Sequence, residues 1–334
     1  MTTPSLLTRR TALTGAAGVA TAASFGRRAR AAAPTKITFL TSWFAEAEHG
    51  GFYQAKATGL YEQAGLDVTI KMGGPQVNGM QLLTGGAADI IIGFDIQLLS
   101  SIEKNIPVSA IAAAFQFDLQ GIMTHTDIKS LADLKGKKIL ISASSHTTFW
   151  PWLKKKYGYT DAMAGVDTFN LQPFLLDKTL SMQGYPSSEP FEAMKQGEKV
   201  NFFLLADEGY PPYSNTLIAN NSFIEQNPEA VAAFVKCSML GWVDYFKNPA
   251  PANKLIQIDN PKQPAEQIAF AIEKMKEMHV LDRGEAKTKG VGTMSDARWK
   301  ATRDFLVTAN LLKPTVDYKK AFTTKFTDGL KIFA

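Results

Sequence analysis

Residues 35–70 read TKITFLTSWFAEAEHGGFYQAKATGLYEQAGLDVTI, and their order decides the fold. Ile37 to Leu40 make a short apolar strand that runs into a loop carrying Trp43, Phe44, Glu46, Glu48 and His49. Gly50 and Gly51 open a helix, Gly59 stops it, and a second short helix ends at Gly65 before another strand at 66–70. Strand, loop, helix, strand is a βαβ unit, and open α/β sheets bind ligands beyond the carboxyl ends of their strands. The loop puts two aromatic rings and several polar groups at that end. A Trp-Phe pair after a strand suits an ordinary core equally well.

The alternation continues outward. Further strands are expected at 68–71, 90–92, 108–115, 138–142, 168–171 and 201–205, with helices at 77–84, 97–104, 150–157 and 187–196. Such a pattern predicts an α/β protein of mostly parallel sheets with helices on both faces. From Asn227 the chain turns helical: Asn227 is placed as N-cap and Pro228 at the first helical position. Val231, Phe234, Val235, Met239, Trp242, Val243 and Phe246 form one apolar face. More helices are expected at 264–278, 295–309 and 318–322. A chain of 334 residues fits two domains.

The first 33 residues read as an export signal rather than part of the fold. Arg9-Arg10 precedes a weakly apolar stretch rich in Ala and Gly, and small residues follow around Ala31 to Ala33. The paired arginines suggest the twin-arginine route to the periplasm. Five of the 36 basic residues lie in this leader, leaving 31 against 31 acidic ones. The mature chain is then near neutral, and its charge gives no reason to expect nucleic-acid binding. No other stretch is a membrane candidate, so the mature chain is expected to be soluble.

Cys237 is the single cysteine and excludes an internal disulfide; its helical spacing with Phe234 and Leu240 suggests burial. The four histidines, His49, His125, His146 and His279, fall in no metal-binding spacing. Neither a nucleophile elbow nor a phosphate-binding loop occurs. No catalytic residue, metal or cofactor is therefore expected, and the chain reads as a non-enzyme.

Four segments in order carry a family resemblance. Residues 59–68 (GLYEQAGLDV), 82–90 (LLTGGAADI), 131–139 (LADLKGKKI) and 227–231 (NPEAV) are similar to motifs of periplasmic substrate-binding proteins of ABC importers. The superfamily they resemble takes up nitrate, sulfonates, taurine and thiamine pyrimidine precursors. Ser42-Trp43-Phe44 and Glu48-His49-Gly50-Gly51-Phe52-Tyr53 look most like the pyrimidine-precursor branch. Ser42, Ala45, Glu46 and Gly50 depart from that branch's Asp, Pro, Asn and Thr.

The resemblance implies a two-lobed binding-protein fold of type II with a ligand cleft between the lobes. Residues 34–118 and 214–334 would form lobe one, and 119–213 lobe two, with chain crossings near 115–121 and 211–216. It also implies a monomer that delivers a small molecule to an ABC transporter permease.

Candidate ligand contacts lie at strand carboxyl ends and helix N-termini of such a cleft. On lobe one they are Trp43, Phe44, His49, Tyr53, Phe94, Asp95 and Gln116; on lobe two, Thr147, Trp150, Tyr185, Glu189, Asp207 and Tyr210. After Arg30 the next arginine is Arg283, so no named cleft segment holds one. Planar capture of sulfonate, carboxylate or phosphate typically uses Arg. Aromatic slots with carboxylates suit a flat heterocycle bearing N–H donors, such as a thiamine pyrimidine precursor. Two alternatives stay open: a small anion such as a sulfonate, taurine or nitrate, and a pyrimidine-synthase-like enzyme on the same fold. The fungal synthase carries a cysteine-rich motif that a chain with one cysteine cannot supply.

Overall fold

In the computed structural model, which describes residues 33–334, the opening unit folds as its sequence pattern requires. Strands β1 (Thr35–Leu40) and β2 (Leu66–Lys71) pair in parallel, Ile37 opposite Val68. Inward-facing Ile37 and Phe39 are buried against Phe52 of the helix Gly50–Ala57 and Phe234 of the helix Pro228–Lys247; the Phe39 ring lies 4.9 Å and 5.2 Å from theirs. The export signal expected at 1–33 lies outside the described residues except for Ala33.

The glycine pair has a packing role. A Cβ on Gly51 would sit 2.2 Å from the Trp242 ring, and one on Gly241 would sit 2.2 Å from the Gly51 carbonyl. Two helices therefore touch backbone to backbone, which only glycine permits. Gln54 ties the same contact down: its Nε2 donates to Asp244 at 2.6 Å and its Oε1 accepts from the Ala252 N–H at 3.1 Å. The loop before the helix, which carries Glu46, Glu48 and His49, is thereby held on a rigid base.

Among the described residues, ten strands form two sheets. The others are β3 (Ile90–Gly93), β4 (Val108–Phe115), β5 (Gly121–His125), β6 (Ile139–Ile141), β7 (Ala164–Val166), β8 (Ser181–Gly184), β9 (Val200–Leu204) and β10 (Ser214–Asn220). One sheet runs β2-β1-β3-β10-β4 and the other β7-β6-β8-β5-β9. Each has four strands in one direction and one antiparallel strand in the second-to-last place, β10 or β5. That strand is in each case the first one after the chain crosses between sheets. The crossings are residues 116–120 and 205–213. This is the two-lobed binding-protein fold.

β4 lies at a sheet edge yet is buried along its whole length. The C-terminal region covers it: Ala113 donates to the Gly292 carbonyl at 3.1 Å, and Thr323 to the Ala110 carbonyl at 2.9 Å. Its run of alanines allows that close cover, which removes an exposed edge.

The helices expected at 150–157, 264–278 and 295–309 appear as Trp150–Tyr157, Ala265–Glu277 and Asp296–Thr308. Three expectations are corrected. The strand expected at 168–171 is a turn; the strand precedes it at Ala164–Val166, and Phe169 has a positive φ of 57° with its N–H held by Asp167 at 2.8 Å. The turn expected to be helical at 318–322 is a short 3-10 turn, Tyr318–Ala321. Asn227 precedes its helix without a side-chain cap bond, because its Nδ2 turns back to the Phe223 carbonyl at 3.4 Å. β5, β8 and most of β10 carry no sequence signal strong enough to name them. β8 reads only Ser-Met-Gln-Gly.

Candidate functional site

The carboxyl ends of strands from both sheets converge on a cavity of about 260 Å³. The loop after β1 supplies Trp43, Glu46, Glu48 and His49, and Phe94 follows β3. Facing them are Phe169 after β7, Gln183 and Tyr185 at the end of β8, and Glu189 at the start of the helix Glu189–Lys195. Asn215 of β10 completes the floor: its Nδ2 donates to the Glu48 carbonyl at 2.6 Å.

The cleft is closed over this cavity. The Trp43 and Phe169 rings meet across it at 5.1 Å, tilted by 52°. The Ser187 hydroxyl donates to the Glu48 carboxylate. At the rim Lys195 pairs with Glu266 at 2.7 Å, and Phe191 packs on Phe270 at 5.3 Å. All four contacts join the second sheet's elements to those of the first.

Among the described residues, three carboxylates and no Lys or Arg line the cavity. Burial pushes the Glu46 carboxyl well above the usual range, and its neighbours Glu48 and Glu189 push it further. Burial also raises Glu48, against the hydrogen bond from Ser187. Glu189 is pushed up to about 7 by burial, although it accepts the Tyr185 N–H at 2.7 Å. His49 is lowered to about 3 by burial, against a smaller opposing effect of the Phe44 backbone, so its ring is neutral near pH 7. Its Nε2 lies 3.5 Å from the Ser42 hydroxyl, and Nδ1 makes no well-formed hydrogen bond.

Behind the cavity, the crossings are tied together. Arg298 donates to the Gln116 carbonyl at 2.7 Å and the Pro211 carbonyl at 3.0 Å, one in each crossing. Asp95 accepts from the Tyr213 N–H at 2.8 Å and the Thr216 hydroxyl at 2.7 Å, and burial raises it to about 6. Asp118 accepts from the Gln120 N–H at 2.7 Å and is raised by burial to about 7.

Of the residues expected from sequence, Trp43, His49, Phe94, Tyr185 and Glu189 line the cavity. Phe44 does not; it is exposed and meets the Trp43 ring edge-on at 5.5 Å. Tyr53 points into the core, where its hydroxyl donates to Asp259 at 2.8 Å. Asp95 anchors β10 from below, and Gln116 donates to the Thr293 carbonyl at 2.8 Å. Thr147 is exposed and borders a separate depression with Lys104. Trp150 and Tyr210 are core rings: Trp150 Nε1 donates to Asp161 at 3.1 Å, and Tyr210 packs on Trp152 at 5.5 Å. Asp207 is exposed and paired with Arg283 at 2.6 Å.

Sequence reading left Glu46, Glu48, Phe169, Gln183 and Asn215 out of the candidate site. Glu46 and Glu48 were visible in the quoted loop beside His49, and position was the available signal. Gln183 is held by the Ser142 N–H at 2.8 Å and the Ser145 hydroxyl at 2.5 Å, a long-range constraint. A roomier depression of about 870 Å³ lies along β9; in it Lys274 pairs with Glu277, Arg283 pairs with Asp207 and the His279 ring lies 3.1 Å from Asp282.

Two mixed sheets with a closed cleft at their strand ends define a two-lobed binding protein. Residues 46–252 match the NMT1/THI5-like family model, and the chain belongs to that family. It is 24% identical to the riboflavin-binding protein RibY of Chloroflexus aurantiacus, over 88% of this chain and 86% of that one. It is 22% identical to the formylaminopyrimidine-binding protein of Halalkalibacterium halodurans, over 86% and 89%. Among solved structures, the periplasmic aliphatic sulphonate binding protein SsuA of Escherichia coli shares the fold with a TM-score of 0.64 at 14% identity, covering 86% of this chain and 91% of that one.

Proposed function

We propose that this chain is the solute-binding component of an ABC-type importer. It captures a small, flat nitrogen heterocycle, a thiamine pyrimidine precursor or a related compound, and presents it to a membrane permease. The observation that carries this reading is the lining: aromatic rings and three carboxylates with, among the described residues, no cationic side chain. Rings clamp a flat solute, and carboxylates accept from its N–H edge. The volume lies just below the roughly 300–1,000 Å³ of drug-sized sites, which favours a ligand of one or two rings. Two relatives named for binding a flavin and a pyrimidine agree with a flat heterocycle.

An anionic solute is the second reading, favoured by the likeness in fold to a sulphonate-binding protein. The lining argues against it, since buried carboxylates repel an anion. We take the chain to bind without turnover; its single cysteine, Cys237, lies away from the cavity. We take residues 34–118 and 214–334 as lobe one, 119–213 as lobe two, and the Arg298-clamped crossings as the hinge. Among the described residues no helix is long and apolar enough to cross a membrane. A monomer working in the periplasm after loss of residues 1–33 completes the reading.

Native mass spectrometry of protein taken from its own periplasm tests both address and cargo. A start near Ala32 or Pro34 and a retained, chemically unchanged heterocycle are expected. Calorimetry with pyrimidines, purines, taurine and nitrate then separates the ligand classes. Binding of taurine or nitrate without pyrimidines overturns the heterocycle reading, and a stoichiometric product or a lost histidine side chain overturns the non-enzyme reading.

A further inference from the structure

The cavity's carboxylates come from opposite sides of the cleft. Glu46 and Glu48 sit on the loop after β1, and Glu189 begins a helix of the second sheet. Ser187 on Glu48 and Trp43 on Phe169 join the two sides across the cavity. Glu48 takes the Ser187 hydroxyl and Glu189 the Tyr185 N–H, while no side chain among the described residues donates to Glu46.

A second observation at the same wall also asks for a ligand. His49 is 1% exposed, lines the cavity, and has an unpartnered Nδ1. Nε2 lies 3.5 Å from the Ser42 hydroxyl, and a buried polar atom such as Nδ1 without a well-formed partner is costly. The cavity thus offers acceptors and negative charge on several sides and supplies no countercharge of its own.

Surrounding groups do not provide one. Glu192 and Asp167 add negative potential at Glu189, and Asp118 lies within reach of Tyr185. The Tyr245 hydroxyl of the helix Pro228–Lys247 is neutral and responds to Glu48. Lys195 is tied to Glu266 at 2.7 Å, and on the helix Ala265–Glu277 Lys274 and Lys276 pair with Glu277 and Glu273.

Resting on the binding-protein reading above, we propose that this site selects a positively charged flat ligand, whose charge is held between the carboxylates of Glu46, Glu48 and Glu189. An amidinium-like or protonated amino-heterocycle edge meets this chemistry, with Nδ1 of His49 accepting one of its N–H groups. The closed cleft raises the carboxyls, so it binds more protons than the open one. Closure of the empty protein is therefore favoured as pH falls and lost as pH rises. Burial is the first cause of the rise of Glu189 to about 7, and Glu192 and Asp167 add to it. A cationic ligand removes that penalty because it closes the cleft over ionised carboxylates.

Two measurements test this. Small-angle scattering of the ligand-free protein between about pH 5 and pH 8.5 should show a compact form in acid and an expanded one in base. Glu46→Gln and Glu189→Gln should each move that transition to higher pH. A radius of gyration that does not change with pH in the wild-type chain overturns the proposal without any variant having to fold. Calorimetry with benzamidine and benzamide, a flat cation and its flat neutral counterpart, should give at least tenfold tighter binding of benzamidine, a preference that Glu46→Gln abolishes. Benzamide binding as tightly as benzamidine refutes the charge selection and leaves the flat-ligand reading standing. Binding of taurine or nitrate with neither flat probe refutes both.

Discussion

Gly184→Ala isolates the role of Glu189 without touching it. The φ of Gly184 is not positive, so alanine costs nothing in backbone conformation there. A Cβ at this position would meet three atoms first, and all belong to Glu189: Oε2 at 2.6 Å, the carboxyl carbon at 2.8 Å and Cγ at 3.1 Å. The methyl must push that carboxylate out of the cavity and off the Tyr185 N–H, which it now accepts at 2.7 Å. If Glu189 bonds the ligand, the loss is one charge-assisted hydrogen bond, about 1.5–3 kcal/mol, or roughly ten- to a hundredfold in affinity. The fold should barely notice, because the displaced side chain is long and half-buried; the melting temperature of the unliganded protein should fall by no more than about 2–4 °C. Calorimetry with the retained heterocycle measures the first quantity and thermal unfolding the second. The double variant Gly184→Ala with Glu189→Ala should bind no worse than Glu189→Ala alone, since the group that clashes is gone. Wild-type affinity in Gly184→Ala, or two losses that simply add, refutes the assignment of Glu189 as a ligand contact.

Trp43→Ala removes the ring that meets Phe169 at 5.1 Å and Phe44 at 5.5 Å, each pair contributing about 0.5–1.5 kcal/mol. All flat ligands should weaken together by roughly tenfold or more in calorimetry, and selective loss of one of them contradicts a stacking role. His49 is held near 3 in the fold against 6.5 in the unfolded chain, so the unfolded chain gains a proton first and stability falls as pH drops from 6.5 toward 3. His49→Gln should flatten that acid limb in urea titrations run at several pH values; an unchanged slope places the effect elsewhere. Gly51→Ala drives a methyl into the Trp242 ring and should destabilise by about 1–3 kcal/mol, reduced by alanine's better helix propensity, as read from the urea midpoint. The Cys237 thiol is buried and its pKa raised by that burial, so a disulfide reagent should modify it slowly in the native protein and at once in denaturant.

The candidate site was legible where local order and site position coincide. Trp43 and His49 lie within ten residues of β1, on the loop that any βαβ unit places at its strand ends. Glu189 and Tyr185 sit at the junction of a strand and a helix N-terminus, which is also a local pattern. Tyr53, Trp150 and Tyr210 carry the same kind of side chain at similar local positions and went to the core instead. An aromatic ring is buried equally well by a neighbouring helix or by a ligand, and sequence spacing does not distinguish the two.

The sequence by itself determined the α/β alternation, the helical C-terminal region, the aromatic and acidic loop after β1, and the lack of arginine between Arg30 and Arg283. Those properties rest on periodicity, turn chemistry and residue type, which act over a few residues. Only the tertiary structure decided that β10 returns between β3 and β4, bringing Asn215 under Glu48, and that the turn at Phe169 closes on Trp43. It likewise placed Glu46 and Glu48 opposite Glu189, 143 and 141 positions apart in a chain whose local signals end within a helix or strand. Long-range pairing of strands is set by burial summed over both sheets, so the charge of the cavity emerges only when the two crossings let the sheets meet.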